Sequence, residues 1–241
     1  MKGIEDKSID MVLCDPPYGT TPIEWDSPID FRCMWEEYRR IVKANGVIVI
    51  FGQEPFSSFL RISNMRDYKY DWYWEKERLT NVFQVKKRSG KTVENIMVFY
   101  REQCVYNPQK MEFAGKRVTN KIGGSARWPV AMAGSNPKTR PFEYHDDGMR
   151  YPTQVLRFNR DSPRKRLHPC QKPVSLLEYL IKTYTNKGDT VLDNCMGSGS
   201  TGIACINTDR NFVGIELNEE YYRIARERIE GHQQQMSFFN K

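Results

Sequence analysis

Two stretches of this chain carry residue types that could do chemistry together. Asp15-Pro16-Pro17-Tyr18 places a carboxylate, two rigid residues and an aromatic ring within four positions. Proline locks φ at about −65°, so its carbonyl points in a set direction beside the acid and the ring. Fixed acceptors next to a stacking surface can hold a flat ligand. Taken alone, the tetrapeptide reads equally well as an Asp-Pro turn with a packing tyrosine. The second stretch is Asp193-Asn194-Cys195-Met196-Gly197-Ser198-Gly199-Ser200-Thr201-Gly202, with Glu216 further on. Glycines there would let a ligand approach the backbone closely, and an acid at Glu216 could accept hydrogen bonds from both hydroxyls of a ribose. The alternative is a flexible turn followed by a solvated acid.

Both stretches sit where a sheet would present them. Ile9-Asp10-Met11-Val12-Leu13-Cys14 is too short for a stable helix and is stopped by two prolines, so it predicts a buried strand emptying into the Asp15 loop. Thr190-Val191-Leu192 predicts a strand before the glycine turn, Ile203 to Ile206 a helix after it, and Asn211 to Ile215 a further strand ending on Glu216. In open α/β sheets ligands bind at the carboxyl ends of strands.

The two motifs together resemble the amino-methylating DNA methyltransferases that use S-adenosylmethionine. Asp15, Pro16, Pro17 and Tyr18 match their catalytic tetrapeptide; Asp193, Gly197, Ser198, Gly199, Ser200 and Thr201, with Glu216, match their cofactor loop. His168-Pro169-Cys170-Gln171-Lys172-Pro173 is similar to the segment that closes over the methionine part of the cofactor, which implies cofactor contacts from His168, Lys172 and Pro173. A structural loop histidine is the other reading of His168. Because the tetrapeptide precedes the cofactor loop, the order is that of the permuted beta class. The implied fold is α/β and Rossmann-like: a mostly parallel, doubly wound sheet with an antiparallel strand and an inserted target-recognition region. The implied organisation is a catalytic half over 1–100, target recognition over 101–167 and a cofactor half over 168–241.

The resemblance also implies the chemistry. An exocyclic amine on a base is a poor nucleophile because its lone pair is conjugated with the ring. Asp15 and the Pro16 carbonyl, each accepting one N–H, would localise that pair toward the methyl group while Tyr18 stacks on the base. The nucleotide must leave the duplex to reach such a pocket. No covalent intermediate is needed, so neither Cys14 nor Cys170 is expected to be a nucleophile. Asp at the first position is typical of adenine-N6 enzymes and Ser of cytosine-N4 enzymes. Adenine is therefore the expected base, with a cytosine-N4 enzyme or an inactive DNA-binding module of the same fold as alternatives.

The 241 residues suffice for one α/β domain with a smaller lobe, and 37 Lys and Arg against 30 acids give a net charge of +7, which suits a polyanionic partner. Double-stranded DNA is the expected partner; a homodimer and a cognate restriction endonuclease are left open. Lys86, Lys87, Arg88 and the run Arg164-Lys165-Arg166 are candidate phosphate contacts. Arg117, Asn120, Lys121, Arg127, Lys138 and Arg140 are candidates for base recognition by type and location only. Solvated surface charge fits each base-recognition candidate singly better than base contact does, and is the alternative for the phosphate candidates. Six cysteines with no C-x-x-C pair indicate neither a metal site nor a disulfide framework. With no apolar leader or membrane-length stretch, a cytoplasmic protein of bacterial or phage origin is expected.

Other elements follow from periodicity. Asp30 is expected to cap a helix with Phe31, Met34, Trp35, Tyr38, Ile41 and Val42 on one face and Asn45-Gly46 as its stop. Pro55 should open a second helix carrying Phe56, Phe59 and Leu60. Trp72 and Trp74 read as core, and Glu94 to Tyr100 as a strand. A helix from Pro173 should end at Gly188, and one capped by Asn218 should turn Tyr222, Ala225 and Ile229 inward, with the Gln-rich segment past Gly231 patternless. The family usually has a further strand before the catalytic one, so the eight residues ahead of Ile9 imply weakened cofactor affinity.

Overall fold

A computed structural model describes residues 1–19, 29–112, 149–160 and 171–239. In chain order the elements are β1 (Ile9–Cys14), α1 (Phe31–Ile41), β2 (Val42–Gly52), α2 (Phe56–Ser63), β3 (Tyr68–Glu75), β4 (Val93–Tyr100), β5 (Met111–Glu112), β6 (Met149–Arg150), β7 (Val155–Arg157), α3 (Val174–Tyr184), β8 (Thr190–Asp193), α4 (Ser200–Asn207), β9 (Asn211–Gly214) and α5 (Glu219–Phe239). Two compact units divide the chain: Met1–Asn107 with Thr153–Lys241, and Pro108–Pro152. In the smaller one β5 and β6 pair antiparallel, and the Lys110 ammonium lies 4.9 Å from the centre of the Tyr151 ring.

The larger unit is built on a seven-stranded sheet in the order β7-β3-β4-β2-β1-β8-β9. β1 runs parallel to β2 on one side and to β8 on the other, and β8 runs parallel to β9. β4 is antiparallel to both β2 and β3, which is the antiparallel strand the resemblance implied. Alternation along the strands loads both faces. Met11, Leu13, Trp72, Trp74, Ile96 and Val98 pack with Leu177, Leu180 and Ile181 of α3. Val12, Cys14, Ile50, Met97 and Phe99 pack with Met34, Trp35, Tyr38 and Ile41 of α1 on the other. Fully burying one such side chain is worth about 1.5–3 kcal/mol, so both faces must be covered. Helices on both sides of the sheet make the doubly wound arrangement.

Several boundaries differ from expectation, each for a physical reason. Asp30 does cap α1, accepting from the amides of Arg32 and Cys33 at 2.8 and 3.2 Å. The helix ends at Ile41, however, and Val42 is already extended in β2, paired with Ile9. Asn45-Gly46 marks an irregularity in the β1–β2 register instead of a helix stop. A Cβ at Gly46 would lie 2.9 Å from the Asp10 carbonyl oxygen, so the neighbouring strand leaves no room for a side chain. Phe59 is 61% exposed; α2 is short and turns only Phe56, Ser57 and Leu60 inward. Asp71, next to Trp72 on β3, is buried and paired with Arg61 at 2.6 Å. α3 stops at Tyr184, four positions before Gly188. Tyr222 is exposed while Ala225 is buried. The Gln-rich segment is helical to Phe239: Arg223–Glu227 and Arg226–Glu230 pairs brace the middle of α5, and Gln and Met are good helix formers. No helix among the described residues is long and apolar enough to cross a membrane.

Candidate functional site

Because β1, β2 and β8 are neighbours and parallel, their carboxyl ends open on one rim. Met11 lies opposite Val191 and Val12 opposite Leu192, so Asp15 and the glycine loop leave adjacent strands at the same height. Asp15 is held by two donors. The Tyr18 hydroxyl donates to its Oδ1 at 2.5 Å, and the Lys172 ammonium to its Oδ2 at 2.5 Å. Tyr18 leans on Phe56, with ring centroids 5.1 Å apart. Pro16 is buried.

Lys172 also donates to Glu94 Oε1 at 2.8 Å, and the other oxygen of Glu94 takes the Lys76 ammonium at 2.5 Å. Gln53 Nε2 approaches that second oxygen at 3.4 Å. Two carboxylates and two ammoniums thus form one chain of ion pairs, and all but Asp15 are within a tenth of full burial. Burial pushes the Glu94 carboxyl up, but the two lysines outweigh it and bring it down to about 2. For Asp15 burial wins: its carboxyl is raised, the pull of Lys172 being opposed by the negative charge of Glu94. Burial works against the Lys172 ammonium, yet its two carboxylates raise it above the ordinary lysine range.

The glycine loop is organised from below by Asp193. Its Oδ2 accepts the Thr201 hydroxyl at 2.6 Å and its Oδ1 the Cys195 amide at 3.1 Å, while burial pushes the carboxyl up to about 7. Gly197 and Gly199 have φ of 51° and 77°, the left-handed region that glycine enters without strain. Gly199 is followed directly by α4, so the loop delivers backbone amides at a helix N-terminus. At the end of β9, Glu216 accepts from the Gly197 amide at 2.9 Å and the Asn218 amide at 3.0 Å. A carboxylate oriented in this way keeps lone pairs for further donors. Ser198 Oγ donates to Gln171 Oε1 at 3.2 Å, and Arg228 of α5 binds the Ser198 carbonyl at 2.9 Å and Ser200 Oγ at 3.1 Å.

Gln171 and Lys172 are therefore a bridge, one touching the glycine loop and the next touching Asp15. Pro173 sets φ at −62° ahead of α3 and fixes where that bridge ends. The resemblance places Lys172 at the cofactor's carboxylate; its ammonium is directed to Asp15 and Glu94 instead. Asp15, Pro16, Pro17, Tyr18, Lys172, Pro173 and the residues from Asp193 to Thr201 with Glu216 all lie in the larger unit. Lys86, Lys87 and Arg88 are exposed on the connection between β3 and β4, whose two ends carry Lys76 and Glu94. His168, Arg164, Lys165, Arg166 and the base-recognition candidates Arg117, Asn120, Lys121, Arg127, Lys138 and Arg140 lie outside the described residues.

Glu94, Lys76, Gln171 and Arg228 do not stand out in the sequence, although parity carries a signal for two of them. Glu94 shares its strand face with Ile96 and Val98, and Lys76 continues the alternation of Trp72 and Trp74; all four apolar residues are core. Opposite charges that extend two buried faces toward one rim mark an ion pair inside the protein. Gln171 and Arg228 carry no such signal.

A carboxylate beside a ring, next to a glycine loop at a helix N-terminus and an oriented acid that could accept from ribose hydroxyls, fits a nucleoside cofactor brought against a second planar ligand. A DNA methylase family model matches residues 9–227. Type II methyltransferase M.HpaI of Haemophilus parainfluenzae is 29% identical over 95% of this chain and 71% of its own. DNA adenine methyltransferase YhdJ of Escherichia coli (strain K12) is 27% identical over 95% of this chain and 79% of its own. The solved M1.HpyAVI–SAM complex aligns at a TM-score of 0.59 with 27% identity, covering 92% of this chain and 89% of that one. The PvuII DNA methyltransferase, described as cytosine-N4-specific, shares the fold at a TM-score of 0.61 and 16% identity over 97% of this chain and 87% of that one.

Proposed function

Because this chain belongs to the DNA methylase family and is an S-adenosylmethionine-dependent DNA methyltransferase, we propose that it methylates the N6 amino group of a flipped-out adenine. The observation that carries the choice is the acid: Asp15, on the rim beside the cofactor loop, is the residue typical of adenine-N6 enzymes at this position. The naming of YhdJ as an adenine methyltransferase agrees.

In this scheme Asp15 and the Pro16 carbonyl each accept one N–H of the amine and Tyr18 lies against the base. Glu216 would hold the ribose hydroxyls, Asp193 and Thr201 hold the loop from Gly197 to Ser200 in a shape that would receive the nucleoside, and Pro173 would contact the methionine end; His168 has that role by the resemblance alone. The cofactor supplies a methyl group already activated by its sulfonium. The amine nitrogen would take that methyl with the thioether as leaving group, and its surplus proton would pass to solvent water at the mouth of the site. Flipping costs a few kcal/mol, offset by stacking and pocket contacts. To test the base, purified protein is incubated with methyl-labelled S-adenosylmethionine and unmethylated DNA, and the DNA is digested to nucleosides. Label is expected in N6-methyldeoxyadenosine; label in N4-methyldeoxycytidine would overturn the assignment.

The β3–β4 connection is the proposed DNA-facing edge of the larger unit. Phe83 at its tip is fully exposed, and Lys86, Lys87 and Arg88 follow it. An apolar side chain flanked by cations suits a wedge between base steps with phosphate contacts beside it. Changing Lys86, Lys87 and Arg88 to alanine together is expected to reduce the slope of log affinity against log salt by roughly 3, about 0.9 for each phosphate deprived of its cation. An unchanged slope would remove these residues from the interface.

A further inference from the structure

We propose that Glu94 is a positioning residue for methyl transfer: it takes over the Tyr18 hydroxyl and the Lys172 ammonium when the target amine claims Asp15. This rests on the reading of Asp15 as the acceptor of that amine. Both oxygens of Asp15 already have partners, Tyr18 on Oδ1 and Lys172 on Oδ2, each at 2.5 Å. An incoming amine must compete with a phenol and an ammonium for those same oxygens. Yet each competitor already has a second acceptor, and it is the same atom: Glu94 Oε1 lies 3.3 Å from the Tyr18 hydroxyl and 2.8 Å from the Lys172 nitrogen.

The hand-over is therefore a shift along hydrogen bonds that already exist, with no donor left stranded. This matters most for Lys172. A buried ammonium deprived of its only carboxylate would be strongly destabilised, so with Asp15 as sole partner it would stay where it is and block the amine. With Glu94 beside it, it keeps a full counter-charge. Glu94 is itself fixed, because Lys76 at 2.5 Å and Gln53 at 3.4 Å hold its other oxygen and its side chain is only 3% exposed. Asp15, Glu94, Lys76 and Lys172 carry two charges of each sign, so the site is balanced before and after the shift.

The test is a comparison of Glu94→Gln in two backgrounds, read by single-turnover methyl transfer alongside calorimetric cofactor binding. In the wild-type background E94Q leaves Lys172 with Asp15 alone, and the transfer rate should fall by roughly 100-fold, the scale of removing one preorganised electrostatic partner, with cofactor affinity nearly unchanged. In a Lys172→Met background there is no ammonium to withdraw. E94Q should then cost nothing, or restore rate, by relieving the repulsion between two carboxylates. Such sign-dependent coupling is not produced by a residue that merely supports the fold. An equal loss in both backgrounds would overturn the proposal. Should E94Q alone fail to fold, the charge-balanced double variant carries the test, and a rate below that of K172M would overturn it.

The pH profile adds an independent readout. Asp15 is faced by Lys172 from the segment before α3, Glu94 from β4, Asp193 from β8, and Cys14 and Tyr18 from its own strand and loop. Glu94 is one of the groups that raise the Asp15 carboxyl, so its removal should move the acid limb of the rate profile to lower pH. An acid limb that does not move in E94Q counts against the hand-over. Asp15→Ala separates the two levels: if it retains activity, the reading of Asp15 fails, whereas an inactive D15A with a fully active E94Q sinks the role of Glu94 alone.

Discussion

Asp15→Ala is expected to lower the rate of methyl transfer by roughly 1,000-fold or more, about 4 kcal/mol of transition-state stabilisation, while leaving cofactor affinity within a few-fold of wild type. The size follows from what is removed. The carboxylate is the charged acceptor that would localise the amine's lone pair, and alanine leaves the Pro16 carbonyl as the remaining acceptor at that point. The separation of rate from binding follows from the geometry. Thr201 on Asp193, Gly197 on Glu216 and Arg228 on Ser198 and Ser200 hold the glycine loop, the proposed cofactor site, without any contribution from Asp15. The fold should persist because Lys172 keeps its ion pair with Glu94. Single-turnover assays and calorimetry on the same preparation check both halves. A rate within tenfold of wild type would remove Asp15 from the reaction.

Gly199→Val should have the opposite signature, with cofactor binding abolished first. The residue sits at φ 77°, where a β-branched side chain is strained, and its Cβ would lie 3.0–3.2 Å from Ile229 Cδ1, Ala225 Cβ and the Ala225 Cα. The first two are side-chain atoms, but the third is the backbone of α5, which cannot yield without moving the helix. A left-handed β-branched residue costs about 1–2 kcal/mol and overpacking a further 1–3, so a loss of roughly 2–5 kcal/mol in stability is expected. The loop that remains would present its amides at the wrong angle, and cofactor affinity should fall at least about 100-fold, near 2.7 kcal/mol. Denaturant titration and calorimetry measure the two effects. Wild-type affinity in G199V would mean that this turn is not part of the cofactor site.

Much of the site is readable from local pattern because its two key loops are signalled by strong breakers. Two prolines end β1 at Asp15, and the turn with Gly197 and Gly199 separates β8 from α4, so both strands can be placed to within a residue and the helix start to within three. Glycine misleads where its role is tertiary. Gly46 and Gly188 resemble helix stops, but Gly46 answers to the carbonyls of the adjacent strand, which no local window contains. Glu94 and Lys76 are only half legible for a related reason: strand parity puts each on a buried face but does not pair them. Each reads as an ordinary charge at the end of an aromatic or aliphatic strand, and only the antiparallel pairing of β3 with β4 brings Glu75 opposite Val93 and so sets Lys76 and Glu94 side by side. Lys172 is located by its motif, but its partners lie on β4 and after β1, and pairings over that range are set by topology.

The central strands β1 and β8 are far apart along the chain, with Thr190 donating its amide to the side chain of Asp10, 180 positions earlier. During synthesis β1 and β2 can associate early, but the other flank of β1 stays bare until β8 has emerged from the ribosome. Closing so long a loop is slow and entropically costly, and it comes late by necessity. On the proposed reading, a nascent polypeptide therefore holds Asp15 without the glycine loop, and no premature methylation of nearby nucleic acid is expected before β8 and the turn that follows it have been made.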